Sequence, residues 1–103
     1  MNKGIPIEDV LSLSKEIQGT FWGKSIMTSL QDYPRTSEIV LIVLIEMAFQ
    51  IGVAGVFEFK KMLAALIDHD FELAAAEMLN SPWAKQQPDH AQTLAKTLME
   101  IYT

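Results

Sequence analysis

Acidic side chains are the groups in this chain that could perform acid–base chemistry. Glu46 directly follows an uninterrupted apolar run, Ile39 to Ile45, and burial in such surroundings raises the pKa of a carboxyl group. Glycoside hydrolysis uses a protonated acid of this kind together with a second carboxylate, roughly 5 to 9 Å away across a cleft. No partner is evident for Glu46. The acids of the first predicted helix, Glu8, Asp9 and Glu16, fall on a face that the pattern predicts to be exposed. The sequence therefore favours a structural role for Glu46.

A second acidic group lies further along the chain. Asp68, His69, Asp70 and Glu72 provide oxygen and nitrogen ligands within five residues. Their spacing matches no metal-binding motif, and aspartate is common before a helix because its side chain caps the first turn. No nucleophile motif or phosphate-binding glycine loop is present either. We therefore expect no catalytic residue, no metal site and no cofactor.

Charge and composition narrow the classes of partner. The net charge is −5, and Arg35 is the single arginine beside seven lysines. Proteins that bind nucleic acids present clustered basic residues, and Lys60-Lys61 is too short a pair to form such a patch. The chain has no cysteine, and its N-terminus shows no basic segment followed by an apolar run. The sequence predicts a cytoplasmic protein without a signal peptide that does not bind nucleic acid.

The apolar pattern is helical throughout, and no segment alternates as a strand would. Residues 1-103 are expected to form a single all-α domain, a compact bundle of six to seven short helices, because 103 residues can bury one modest core. Four helices are predicted in the first two thirds of the chain: from Pro6, from Thr20 to Leu30, from a Ser37 cap to Gly52, and from Val56 to Ile67. Three more follow: Phe71 to Leu79 with Asp70 as its cap, a short helix carrying Trp83 with Ser81 as its cap and Pro82 in its first turn, and a last helix from Pro88 onward. The predicted core contains Met47, Phe49, Leu63, Leu66, Leu79 and Leu98.

Residues 46 to 91 resemble a known family in their order and spacing. The segments that carry the resemblance are Glu46-Met47-Ala48-Phe49-Gln50-Ile51-Gly52, Phe57-Glu58-Phe59-Lys60-Lys61-Met62-Leu63, Phe71-Glu72-Leu73-Ala74-Ala75-Ala76-Glu77-Met78-Leu79 and Ser81-Pro82-Trp83-Ala84-Lys85-Gln86. Together they resemble the C-terminal helical lobe of the phage-type lysozymes, the endolysin muramidases of tailed bacteriophages. Pro6 to Ile17 is similar to the start of the helix that joins the two lobes of these enzymes.

The resemblance implies a helical fold and indicates which residues would lie at the family's substrate cleft. Gln50, Ile51 and Trp83 correspond to positions where the family's C-lobe lines its substrate cleft; alternatively Trp83 is core packing and Gln50 merely ends a helix. The family's catalytic carboxylates belong to an N-terminal lobe, and only five residues precede Pro6. We therefore expect a stand-alone, non-catalytic lysozyme-like domain of phage or prophage origin that acts by protein–protein interaction. The alternatives are a component of a split muramidase or a peptidoglycan-binding module with weak wall contact.

Two departures from the family concern surfaces. Val40 and Leu41 occupy positions where relatives usually carry arginine on an outward helix face. Exposed apolar residues in a row commonly mark an interface, so both are interface candidates for a homodimer or a partner protein, unless the first helix covers them. His90 and Thr93 stand where many members carry arginines that reach acids of the catalytic lobe, and their absence argues against a split enzyme.

The apolar run from Ile39 to Phe57 is about long enough to cross a membrane. It contains Glu46 and Gln50, however, and ionisable groups are costly at the middle of a bilayer. A buried central helix accounts for the run without a membrane. A membrane-associated lysis protein remains the alternative, which detergent-dependent solubility would reveal.

Overall fold

The computed structural model describes residues 4–102, which form seven α-helices and a final 3₁₀ turn. This confirms the predicted all-α bundle. The helices are α1 (Ile7–Gln18), α2 (Phe21–Ser29), α3 (Pro34–Val56), α4 (Lys60–Ile67), α5 (Phe71–Leu79), α6 (Pro82–Gln86) and α7 (Pro88–Met99), and the 3₁₀ turn is Glu100–Tyr102.

Side-chain caps begin three of the helices. The Asp70 carboxylate accepts a hydrogen bond from the Leu73 N–H at 3.1 Å, and the Ser81 hydroxyl accepts one from the Ala84 N–H at 3.1 Å, so both predicted caps are confirmed. Thr20 caps α2 in the same way. The predicted cap at Ser37 is wrong. α3 begins three residues earlier at Pro34, whose fixed φ suits a first helical turn.

Gly52 interrupts α3 near the predicted end of that helix. Its φ of 79° and ψ of 159° are not helical and are accessible almost only to glycine. A further turn of helix continues to Val56 beyond this kink. The fourth helix was expected to begin at Val56 and instead begins at Lys60, because residues 57 to 59 form the turn between α3 and α4.

The core lies along the inward side of α3, which packs against α1 and α7. Four of the predicted core residues are fully buried, namely Met47, Leu63, Leu66 and Leu98. The prediction that Phe49 and Leu79 belong to the core is wrong, since each keeps 44% of its surface exposed. Each lies one position past a buried residue, Ala48 or Met78, and one residue rotates a side chain by about 100° around a helix.

A close helix–helix corner explains why α1 and α2 are separate. Thr20 Oγ1 donates to the Ile17 carbonyl at 2.6 Å and accepts from the Gly23 N–H at 3.0 Å. A Cβ atom on Gly23 would lie 1.8 Å from the Ile17 oxygen, so no larger residue fits there without movement of the backbone. The chain therefore turns between Gln18 and Phe21, and α1 and α2 are separate helices.

Within residues 4–102, α3 is the one helix that is long enough for a membrane span and contains a sufficiently apolar 18-residue window, with a mean hydropathy of 2.4. The core helix of a soluble protein passes the same test. In this structure 44% of its most apolar window is buried by the rest of the bundle.

Met47 and Phe49, two residues apart in α3, give a direct test of which side of the helix faces the core. We expect Met47→Ala to lower the free energy of unfolding by about 2–5 kcal/mol, because Met47 is fully buried and its truncation leaves a cavity. Phe49→Ala serves as the matched control and should cost clearly less. Urea denaturation followed by circular dichroism measures both. Equal losses would contradict the placement of Phe49 on the surface.

Candidate functional site

The outward side of α3 carries a row of three apolar side chains and one acid. Ile39, Ile42, Glu46 and Phe49 recur every three or four residues and therefore lie along one side of the helix. Ile39 and Ile42 are half-buried, yet neither belongs to the core or to the partly buried residues packed against it. Phe49 is more exposed than either. These four residues, together with the exposed Arg35 one turn before Ile39, are called the α3 stripe below.

The structure corrects the predicted interface position. Val40 is fully buried in the core, so its side chain cannot form an interface while the domain is folded. Leu41 is half-buried and packs against the core cluster. The outward face of α3 is therefore centred on Ile42 and Glu46 rather than on Val40 and Leu41. The cause is that Val40 is followed at helical spacing by Val43, Leu44 and Met47, all of which face inward.

Glu46 is the one ionisable side chain in the middle of the α3 stripe. Its Oε2 atom is buried and has no hydrogen-bond partner among residues 4–102. Burial raises the pKa of this carboxyl group above its ordinary value of 4.5, and the charge of His90 partly opposes that rise. The sequence anticipated the raised pKa. A buried polar atom without a partner costs free energy, and Glu46 Oε2 accepts no hydrogen bond from the described residues.

The residues predicted to line a cleft do not share one environment. Gln50 is exposed, Ile51 is half-buried, and only 8% of the Trp83 surface is accessible. The Trp83 indole packs edge-on against Phe59, with 6.4 Å between the ring centroids. Its Nε1 atom has no hydrogen-bond partner in the described part of the chain, so it makes no bond to Gln50. This burial fits the interpretation of Trp83 as core packing.

His69 and Ser29 form a contact that the sequence did not suggest. His69 Nε2 lies 2.9 Å from both the hydroxyl and the carbonyl oxygen of Ser29. A carbonyl only accepts, so Nε2 carries the proton, while the Ser29 hydroxyl donates to the Ile67 carbonyl at 2.6 Å. In this arrangement the imidazole cannot take the hydroxyl proton. The pair therefore ties α2 to the turn after α4 and is not a nucleophile with its base.

A surface pocket of about 460 Å³ lies between the start of α4 and the end of α5. Its floor includes the buried Met62, and its rim carries the exposed side chains of Glu58, Lys60, Lys61 and Asn80. Both signs of charge face solvent there. Ligand sites instead combine an apolar wall with a few converging polar groups, so this pocket indicates no class of ligand. Glu46 and Trp83 do not line it.

Among residues 4–102 no group of three histidine or acidic side chains is placed to hold a metal ion. In the acidic turn before α5, Asp70 caps that helix and His69 contacts Ser29. These two residues therefore already have partners within the fold.

Comparison with known proteins gave no match: no protein-family model, no curated protein and no solved structure is similar to this chain. The resemblance to the lysozyme lobe therefore depends on the residues of the chain alone.

The raised pKa of Glu46 predicts a pH-dependent stability. The folded state binds this proton more tightly than the unfolded chain, so the contribution is complete below the unfolded value of 4.5 and is lost as pH rises through the folded pKa. Glu46→Gln stays neutral and should unfold at a higher temperature than the unmodified protein at pH 7, but at a similar temperature at pH 4. Thermal melts at low micromolar concentration measure this, with the exposed Glu38→Gln as control. A Glu46→Gln variant less stable at pH 7 would contradict the assignment.

Proposed function

We propose that this chain is a non-catalytic, lysozyme-like helical domain of phage or prophage origin that acts by protein–protein interaction in the cytoplasm of a host or infected cell. The observation that carries the proposal is the α3 stripe. The resemblance of residues 46 to 91 to the C-terminal lobe of phage-type lysozymes supports its lysozyme-like and phage-derived character.

The α3 stripe has the character of an interaction surface. A helix with apolar residues on all sides is normally covered on all sides, whereas α3 is fully covered on its inward side and only partly covered along the α3 stripe, where Ile39 and Ile42 are half-buried and Phe49 is exposed. Ile42 and Phe49 present apolar area outside the core, and α1, which packs on α3, also exposes Ile7 and Leu11. An apolar surface of this kind is typical of a protein–protein interface.

The environment of Glu46 supports a non-catalytic role. A glycosidase places a carboxylate opposite its acid, whereas the described side chain whose charge acts on Glu46 is His90, a base. The burial of Trp83 weighs against a peptidoglycan-binding module, because a buried indole face cannot stack on a sugar ring.

Purified cell walls provide the test of this proposal. The protein should neither clear a wall suspension nor sediment with the walls between pH 4 and pH 8, because no described carboxylate acts on Glu46 and Trp83, the aromatic residue at a cleft-like position, is buried. Turbidity and pelleting measure the two properties. Clearing that is lost in Glu46→Gln but kept in Glu38→Gln would make Glu46 a catalytic acid and overturn the proposal. Sedimentation with the walls would favour the peptidoglycan-binding alternative.

A further inference from the structure

The order of residues along the α3 stripe is complementary to its own reverse. From the N-terminal end, the outward positions carry a cation, two isoleucines and an anion, namely Arg35, Ile39, Ile42 and Glu46. The residue numbers of Arg35 and Glu46 add to 81, and those of Ile39 and Ile42 add to 81 as well. Reversing the helix therefore places the cation opposite the anion and one isoleucine opposite the other. A two-fold interface requires such self-complementarity, since each residue meets its partner twice.

We propose that the partner of the α3 stripe is a second copy of this chain, with the two α3 helices antiparallel and Arg35 of each copy paired with Glu46 of the other. This inference rests on the proposed interaction function and names its partner. The two-fold axis passes α3 at the level between Val40 and Leu41. Arg35 and Glu46 each lie about 8 Å along the helix from that axis, at 1.5 Å per residue.

Arg35 is free to make this contact. Its side chain is exposed, and one guanidinium nitrogen, Nη2, donates to the Glu100 carbonyl at 3.1 Å. A guanidinium group has five N–H donors, so donors remain for a carboxylate. The existing bond holds the arginine near the start of α3. A partly fixed arginine loses less side-chain entropy when it pairs than a fully mobile one does.

Glu46 gains a guanidinium partner, whereas among residues 4–102 the side-chain charge that acts on it is that of His90. Its Oε2 atom is buried without a hydrogen-bond donor among the described residues. Covering a carboxylate with apolar side chains alone would be costly, whereas a guanidinium provides both the opposite charge and donors of suitable geometry. The chain has a single arginine, and it lies on this same stripe. Charge complementarity thus favours a second copy over a wholly apolar partner.

The apolar residues supply the contact area. Ile39 of one copy meets Ile42 of the other on both sides of the axis, and Phe49 reaches the beginning of the opposite α3, within one residue of the exposed Tyr33. The paired segment from residue 33 to residue 49 is about 25 Å long. One helix pair of this length falls at the small end of protein interfaces, which is typical of weak association. We therefore expect dissociation in the micromolar range.

The charge pairs fix the register more than they add affinity, because exposed ion pairs contribute little and like charges in contact repel. Reversing one member is therefore the sharpest test. Arg35→Glu places two carboxylates together at both ends of the dimer, and Glu46→Arg places two cations together. Each single variant should weaken dimerisation by at least about tenfold.

Sedimentation equilibrium up to about 500 µM, well above the range expected for so small an interface, measures the association. The unmodified protein should dimerise, each single variant should have a dissociation constant at least about tenfold higher, and both the doubly reversed protein and an equimolar mixture of the two single variants should dimerise as the unmodified protein does. Lys61→Glu and Glu58→Arg change the net charge equally at exposed positions off the stripe and should dimerise normally. Circular dichroism establishes that each variant is folded.

An unmodified protein that stays monomeric over this range, or single reversals that dimerise as well as the controls, would overturn the inference. A doubly reversed protein and a mixture that both stay monomeric would overturn the Arg35–Glu46 register. None of these outcomes bears on wall clearing, so failure of the dimer and failure of the non-catalytic proposal remain distinguishable.

Discussion

The fold depends on the burial of one side of α3. Val40, Leu44 and Met47 are inaccessible to solvent because the other helices close over them, and removal of this apolar area from water is the main contribution to stability in so small a domain. The same helix is apolar on its outward side as well. The bundle buries the inward side completely and the outward side only in part, which leaves Ile39 and Ile42 half-buried and Phe49 exposed.

Glu46 connects the stability of the domain to its proposed interaction. Within one copy its carboxyl group lies among apolar neighbours, and burial raises its pKa. A bound cation would remove this penalty, so a group that weakens the isolated domain at neutral pH becomes a source of specificity in a complex. In some proteins a buried polar group of this kind selects one register among several apolar contacts.

Helix type and order could be predicted from the sequence because the apolar spacing and the start signals agree. Asp70, Ser81 and Pro88 begin helices where expected. The side of each helix that faces the core was harder to predict than the helices themselves. Phe49 was assigned to the wrong side of α3, and Val40 was left open between an interface and the core, since the helix is apolar on every side and its sequence contains no strong contrast between inside and outside. Only packing against α1 and α7 settles which residues face the core.

In the candidate site, too, only the features that depend on neighbouring residues in the sequence could be predicted. The raised pKa of Glu46 follows from its apolar neighbours in sequence, whereas the burial of Trp83 and the contact between Ser29 and His69 depend on residues distant along the chain. The complementarity of Arg35 and Glu46 becomes visible only once both are known to lie on the outward side of one continuous helix. Sequence spacing defines that pair, and the fold shows that it faces outward.

A distance between two labelled copies tests the antiparallel pairing of the α3 stripe most directly. The chain has no cysteine, so a single Gln50→Cys carries one spin label at an exposed position. In the antiparallel dimer the two labels should be about 30 Å apart, because 1.5 Å per residue gives about 28 Å along the helices and the helix spacing of about 8–10 Å lies at right angles to it. Pulsed electron paramagnetic resonance at several hundred micromolar should give a peak at that distance. A separation near 10 Å, as in a parallel pair, or no distance between copies would contradict the account.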